Sequence, residues 1–142
     1  MNPRLFLFLL CLMAPLSAAQ TTRSIVVTAA QVNGTWRNKS SEFKVLALGR
    51  QKLKVEFAGT HEIKTSAGVM ANVGGAYGIA LIEGDTAVFK PEGRGADCQI
   101  TLKFAEDKLA VEQKGSCDFG RGVSATGTYR KASSRKPKFE AE

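Results

Sequence analysis

CQITLKFAEDKLAVEQKGSC, residues 98–117, decides how this chain folds. It begins and ends on cysteine. Its apolar residues fall at alternate positions on either side of a short polar break, the pattern of two half-buried antiparallel strands. With the turn at Asp107–Lys108, Cys98 lies opposite Cys117, and Ile100, Leu102 and Phe104 face Gly115, Gln113 and Val111. With a four-residue turn over 105–108, Phe104 pairs with Leu109. The cysteines are then diagonal neighbours about 7–8 Å apart, unless a bulge near Gly115 restores them. Both registers put the two sulfurs on the apolar face. Opposed residues lie about 4.5–5.5 Å apart, within reach of a disulfide, so a structural crosslink is expected, contributing about 3 kcal/mol by loop closure. A zinc site would want about four Cys or His ligands, and a dithiol redox site a Cys-x-x-Cys at a helix start. Two cysteines far apart on strands, with His61 as the one histidine, supply neither.

A disulfide implies an oxidising compartment, and the first residues agree. MNPR carries one positive charge, LFLFLLCLMAPL is apolar, and small residues end at Ala19. This is the pattern of a secretory signal peptide, residues 1–19, cleaved before Gln20. The apolar run is shorter than the ~20 residues a membrane-spanning helix needs. Cys11 leaves with the signal, so Cys98 and Cys117 remain as an even pair. Loss of Arg4 takes the formal charge from +7 to +6. The expected location is periplasmic or secreted.

Alternation with a period of two runs through most of the chain beyond the signal. In KLKVEF (52–57), Leu53, Val55 and Phe57 share one face and Lys52, Lys54 and Glu56 the other. In VSATGTYRK (123–131), Val123, Ala125, Gly127 and Tyr129 share a face. Strands are expected near 24–32, 35–38, 42–48, 52–58, 61–65, 77–83, 86–90, 98–104, 109–115 and 123–131. Asn33-Gly34 and Gly84-Asp85 read as two-residue hairpin turns. The Gly/Ala-rich stretch 65–78 reads as a long loop or a bent, weak strand. Many short strands joined by tight turns predict an all-β antiparallel meander closed into a barrel of about eight strands, since closure removes exposed edges; an open β-sandwich is the alternative. The domain is placed at 20–131, followed by a basic polar C-terminal tail, 132–142.

No catalytic set emerges. His61 has no nucleophile elbow near it, the acids Glu83, Asp85, Asp97 and Asp118 occupy turns and strand ends, and the glycines match no phosphate-binding loop. The chain is therefore expected not to be an enzyme and to need neither cofactor nor metal. Its basic excess is more informative. Arg130, Lys131, Arg135, Lys136 and Lys138 crowd the last strand and tail, while Arg94 and Arg121 stand in loops. Such an excess serves either as a solvated surface or as a means of attracting something anionic. Nucleic acid is not expected, because aromatic residues do not interleave with the charges.

Gly34-x-Trp36, with an arginine from the closing strand in GTYRK (127–131), resembles the lipocalin and avidin (calycin) barrels. The resemblance implies that Gly34 and Trp36 plug one barrel end, with Arg130 packed over the tryptophan. It covers a few residues and implies no ligand. The run CQITLKF…LAVEQ…CDFGRGVSATGTYRK…KPKF is similar to small exported bacterial β-proteins and implies no activity.

The resulting expectation is an exported, non-enzymatic binding protein whose ligand is small or anionic. Its candidate contacts are Tyr77, Arg94, Arg121 and the basic run from Arg130 to Lys138. Expected partners are an anionic envelope component, a small molecule or a protein, with at most peripheral membrane contact. One alternative is a protein inhibitor of a cell-wall hydrolase, of the lysozyme-inhibitor kind, although mostly cationic lysozymes would repel this charge. Another is an envelope structural or interaction factor.

Overall fold

The computed structural model describes residues 26–140; the expected signal peptide lies outside them. Eight antiparallel strands form a closed barrel, each paired with its sequence neighbour and the last with the first. In chain order they are β1 (Gly34–Arg37), β2 (Ser41–Gly49), β3 (Lys52–Thr65), β4 (Gly68–Glu83), β5 (Thr86–Phe89), β6 (Gln99–Ala105), β7 (Lys108–Lys114) and β8 (Gly127–Ser133). The meander and its closure match the expectation from alternation, and the open sandwich is not formed.

The alternation over residues 24–32 predicts a strand. Instead Ala29–Val32 form one helical turn, α1. Thr28 caps it, accepting from the Gln31 N–H while the Gln31 side chain accepts from the Thr28 N–H, a capping box that satisfies two end donors. Asn33-Gly34 is accordingly no hairpin turn. Asn33 ends the helix, and its side chain accepts the Ala47 N–H at 2.6 Å. The Gly84–Asp85 turn does join Glu83 directly to Thr86.

The stretches 52–58 and 61–65 fuse into a single 14-residue strand, and the glycine-rich 65–78 belongs mostly to the 16-residue β4. The small residues reflect packing rather than weak structure. Inward-facing Ala76, Gly78 and Ala80 leave room for Phe57 and Phe89 behind them, and Gly74 lets the Phe119 backbone lie directly on β4.

In the crosslinked hairpin, Phe104 pairs with Leu109 and Ala105 with Lys108, so the turn is Glu106–Asp107. This is the pairing that leaves the cysteines out of step. The ladder stops at Gln99–Lys114. Gly115 then takes a left-handed φ of +74°, and an added Cβ would stand 2.6 Å from the Asp97 carbonyl carbon. Only glycine fits there comfortably. The irregularity brings Cys117 back to Cys98 with Cα atoms 4.7 Å apart, and the disulfide forms.

The interior is solid. Trp36, Phe43, Phe57, Phe89, Phe104, Ile100, Leu102 and Tyr129 are all at most 2 % exposed, with Phe43 edge-on to Tyr129 and 4.9 Å from Phe57. One end is covered by α1 through Val32. The other is covered by the segment after β7, which buries Phe119, Val123 and Ala125. Tyr129 donates its buried hydroxyl to the Ala125 carbonyl at 2.8 Å.

Residues 132–140 do not stand free as a tail. β8 continues through Ser133, and residues 134–140 lie as a strap across the outer face of β2 and β3. Pro137 is buried and the Lys54 ammonium sits 4.6 Å above the Phe139 ring. The Glu140 N–H donates to the Glu56 carboxylate at 2.7 Å, while its side chain accepts from Lys44. Beneath the strap, Lys44 and Glu56 form a cross-strand ion pair at 2.9 Å, with side chains only 15 % and 10 % exposed. Burial alone would lower the Lys44 pKa. The hydrogen bond and charge of Glu56, then those of Glu140, outweigh it and raise the pKa.

Candidate functional site

Because the interior is filled, a ligand must be met at the barrel's ends or on its outside. At the α1 end, β2 turns into β3 through Arg50 and Gln51, which take left-handed φ values of 50° and 58°. Neither is glycine, but a two-residue type I′ hairpin turn demands positive φ at both positions. The Gln51 carbonyl accepts the Ile82 N–H at 2.9 Å, tying the turn to β4. Between this turn and α1 opens a cleft of about 260 Å³. Val26, Val27, Val32, Ala47, Leu53 and Ile82 make its apolar walls, and Gln51 and Lys52 stand at its rim. Sequence reasoning misses this cleft, since its roof is a helix whose residues alternate like a strand.

Trp36 does stand at this end, fully buried, donating its indole N–H to the Val32 carbonyl at 3.0 Å and meeting Phe104 edge-on. The cation over it is Lys131, not Arg130. The Lys131 ammonium lies 4.7 Å above the ring and donates to the Ala30 and Gln31 carbonyls at 3.1 and 2.6 Å. It thereby fastens the helix to the tryptophan with charge where helix carbonyls want it. Burial lowers its pKa. Arg130 is the neighbour on the opposite face, exposed and 3.7 Å from Asp107. Strand parity accounts for the difference, because Trp36 pairs with Lys131 and Arg37 with Arg130.

The other expected contacts are dispersed. Arg94 works inside the fold. Its guanidinium donates to the Gly75 carbonyl and, at 2.7 Å, to the Asp118 carbonyl, and lies over the Phe119 ring. Arg121 is exposed on the loop between β7 and β8, and its own carbonyl accepts from the Asn72 side chain at 2.7 Å. Arg135, Lys136 and Lys138 are exposed along the strap. Tyr77 lies on the outer face of β4, 47 % exposed. These residues do not converge on one site.

Among the described residues, no group of three or more His, Cys, Asp or Glu is placed to hold a metal ion. Comparison with protein-family models, with curated proteins and with solved structures yields no match to this chain.

Proposed function

We propose that this is an exported, non-enzymatic binding protein that takes a small amphiphile, an apolar group bearing an anionic head, at the α1 mouth of the barrel. The observation that carries the reading is the apolar cleft beneath α1 with Lys52 at its rim. Apolar walls with a few placed polar groups are what small-ligand sites need, and barrel mouths are a common place for them. The filled interior confines the ligand to the mouth and to a size near that of the cleft. Native mass spectrometry of protein purified from its own host tests it. A retained mass is expected, lost in Ala47→Phe, which fills the cleft, and weakened in Lys52→Glu. Empty spectra from repeated native preparations overturn it.

Inhibition of a cell-wall hydrolase is the second reading, favoured by the loop after β7. The disulfide, the Arg94 clamp and the Asn72 contact hold that loop still while Arg121 stays exposed, and such preorganisation lowers the cost of binding a protein partner. A panel of muramidases should then include one slowed by the protein and released by Arg121→Ala. A panel with no slowed member removes the reading.

A further inference from the structure

The outer face of β4 is apolar where a solvated strand would alternate to polar. Val73, Tyr77, Ile79 and Leu81 are 72, 47, 42 and 60 % exposed, and Val88 of β5 stands opposite Leu81. A contiguous row of this kind marks an interaction surface rather than scattered surface residues. Its flank on β3 is charged at both ends, with Lys52 opposite Leu81 and Glu62 opposite Ala71.

We infer that this face is a two-fold interface between two copies of the chain, with the dyad crossing the strands at the Phe57–Ala76 pair. A two-fold axis in the plane between two such faces stacks β4 on β4 and β3 on β3 with directions reversed. Under that operation Tyr77 meets Gly75, Ile79 meets Val73, and Leu81 meets Ala71. On β3, Lys52 meets Glu62. Tyr77 and Leu81 meet small residues, Ile79 and Val73 meet as apolar partners, and Lys52 meets Glu62, which is the self-complementarity an isologous contact requires. The strap fits as well. It stands over β3 at Lys54 and Glu56, and the operation brings these against the partner's small and exposed Thr60 and Ala58.

The signs of charge favour this occupant over a lipid surface. Charge along this face is mixed, with Lys52 and Lys64 beside Glu62 and Glu83, so it offers an anionic membrane no net attraction, whereas a second copy presents Lys52 to Glu62. From residue 71 to 81 the face is about 33 Å long, and β3 and β4, the strands that run its length, make it about 10 Å wide. Two barrel exteriors are convex, so at most about 700 Å² is buried in total, the size of a weak, transient interface. The dimer is therefore concentration-dependent rather than obligate.

Sedimentation equilibrium of the processed protein across a concentration series is the test. The expected result is a mass rising from one chain to two, with Tyr77→Lys and Ile79→Lys each holding it at one. Circular dichroism and an intact-disulfide mass confirm that each variant folds, and either variant suffices if the other does not. Lys52→Glu should also give a monomer, and Lys52→Glu with Glu62→Lys should restore the dimer. A monomer at every concentration overturns the inference, as does a dimer indifferent to both lysine variants or a charge swap that fails to restore it. A monomer that floats with anionic vesicles and loses this in Tyr77→Lys would assign the face to lipid instead.

Discussion

Replacing Gly74 by alanine tests the idea that the loop after β7 is fixed onto β4 by backbone contact. An added Cβ would overlap the Phe119 carbonyl oxygen outright, standing 2.5 Å from its carbonyl carbon and 3.1 Å from its Cα. These are backbone atoms, with no rotamer to swing away. Nor can the loop retreat freely. Cys117 is crosslinked to Cys98, Arg94 holds the Asp118 carbonyl, and Asn72 holds that of Arg121. What yields is the seat of Phe119, which is 4 % exposed with its ring 5.0 Å from that of Phe57. Overpacking alone costs about 1–3 kcal/mol, and complete loss of a buried phenylalanine costs about 3–5 kcal/mol. A shifted loop keeps part of that burial, so the expected loss is about 3 kcal/mol. Urea unfolding followed by Trp36 fluorescence, with the disulfide intact, measures it. In a double-mutant cycle Gly74→Ala and Phe119→Ala should be strongly non-additive, because each disrupts the same packing. A loss below about 0.5 kcal/mol, or two costs that simply add, would falsify the account.

Reducing the disulfide, or replacing both cysteines by alanine, should cost about 3 kcal/mol by loop closure, read as a lowered urea midpoint. Stability should also fall on the alkaline side. Burial pushes the Tyr129 phenol up to about 12 against hydrogen bonds with Ser41 and Asn38 that lower it. Above about pH 10 the unfolded chain therefore releases a proton that the folded one keeps. The contribution is fully present below pH 10 and is lost as pH rises through about 12, by about 2–3 kcal/mol. Equilibrium unfolding at stepped pH checks this, and Tyr129→Phe should flatten the decline. Lys131→Met should lose about 1–2 kcal/mol with its ring and carbonyl contacts. Arg130→Met, which removes an exposed pair, should stay within about 0.5 kcal/mol, and thermal melts of the two variants separate them.

Strands that alternate against one core can be read directly, because parity alone assigns each side chain to a face. The barrel and its β6–β7 hairpin follow from that parity, but parity and the reach of a disulfide leave two registers open, and only the observed Glu106–Asp107 turn selects the one that needs an irregularity at Gly115. Parity also carries information about the tryptophan contact. Tyr129 faces inward, so Lys131 must as well, and counting two residues along β8 chooses it over Arg130. Thr28 and Gln31 likewise carry a capping-box spacing that announces a helix start, but the β-branched run before them reads as strand. The rest is tertiary. Nothing local tells that glycines on β4 accommodate Phe119 and Phe89, that Arg94 turns inward to carbonyls, or that the lysine-rich segment up to Glu140 buries Pro137 and sets Glu140 against an ion pair. The cleft depends on α1 and is hidden with it.

The seam between β1 and β8 joins Trp36 to Lys131 across nearly the whole described chain. Contacts so distant in sequence form late and slowly, so the sheet spends its assembly as an open ribbon with two unpaired margins. Synthesis that halts before residue 127 leaves that ribbon without its closing stave. Truncated chains are therefore expected to stick to one another, however well their first seven strands are made.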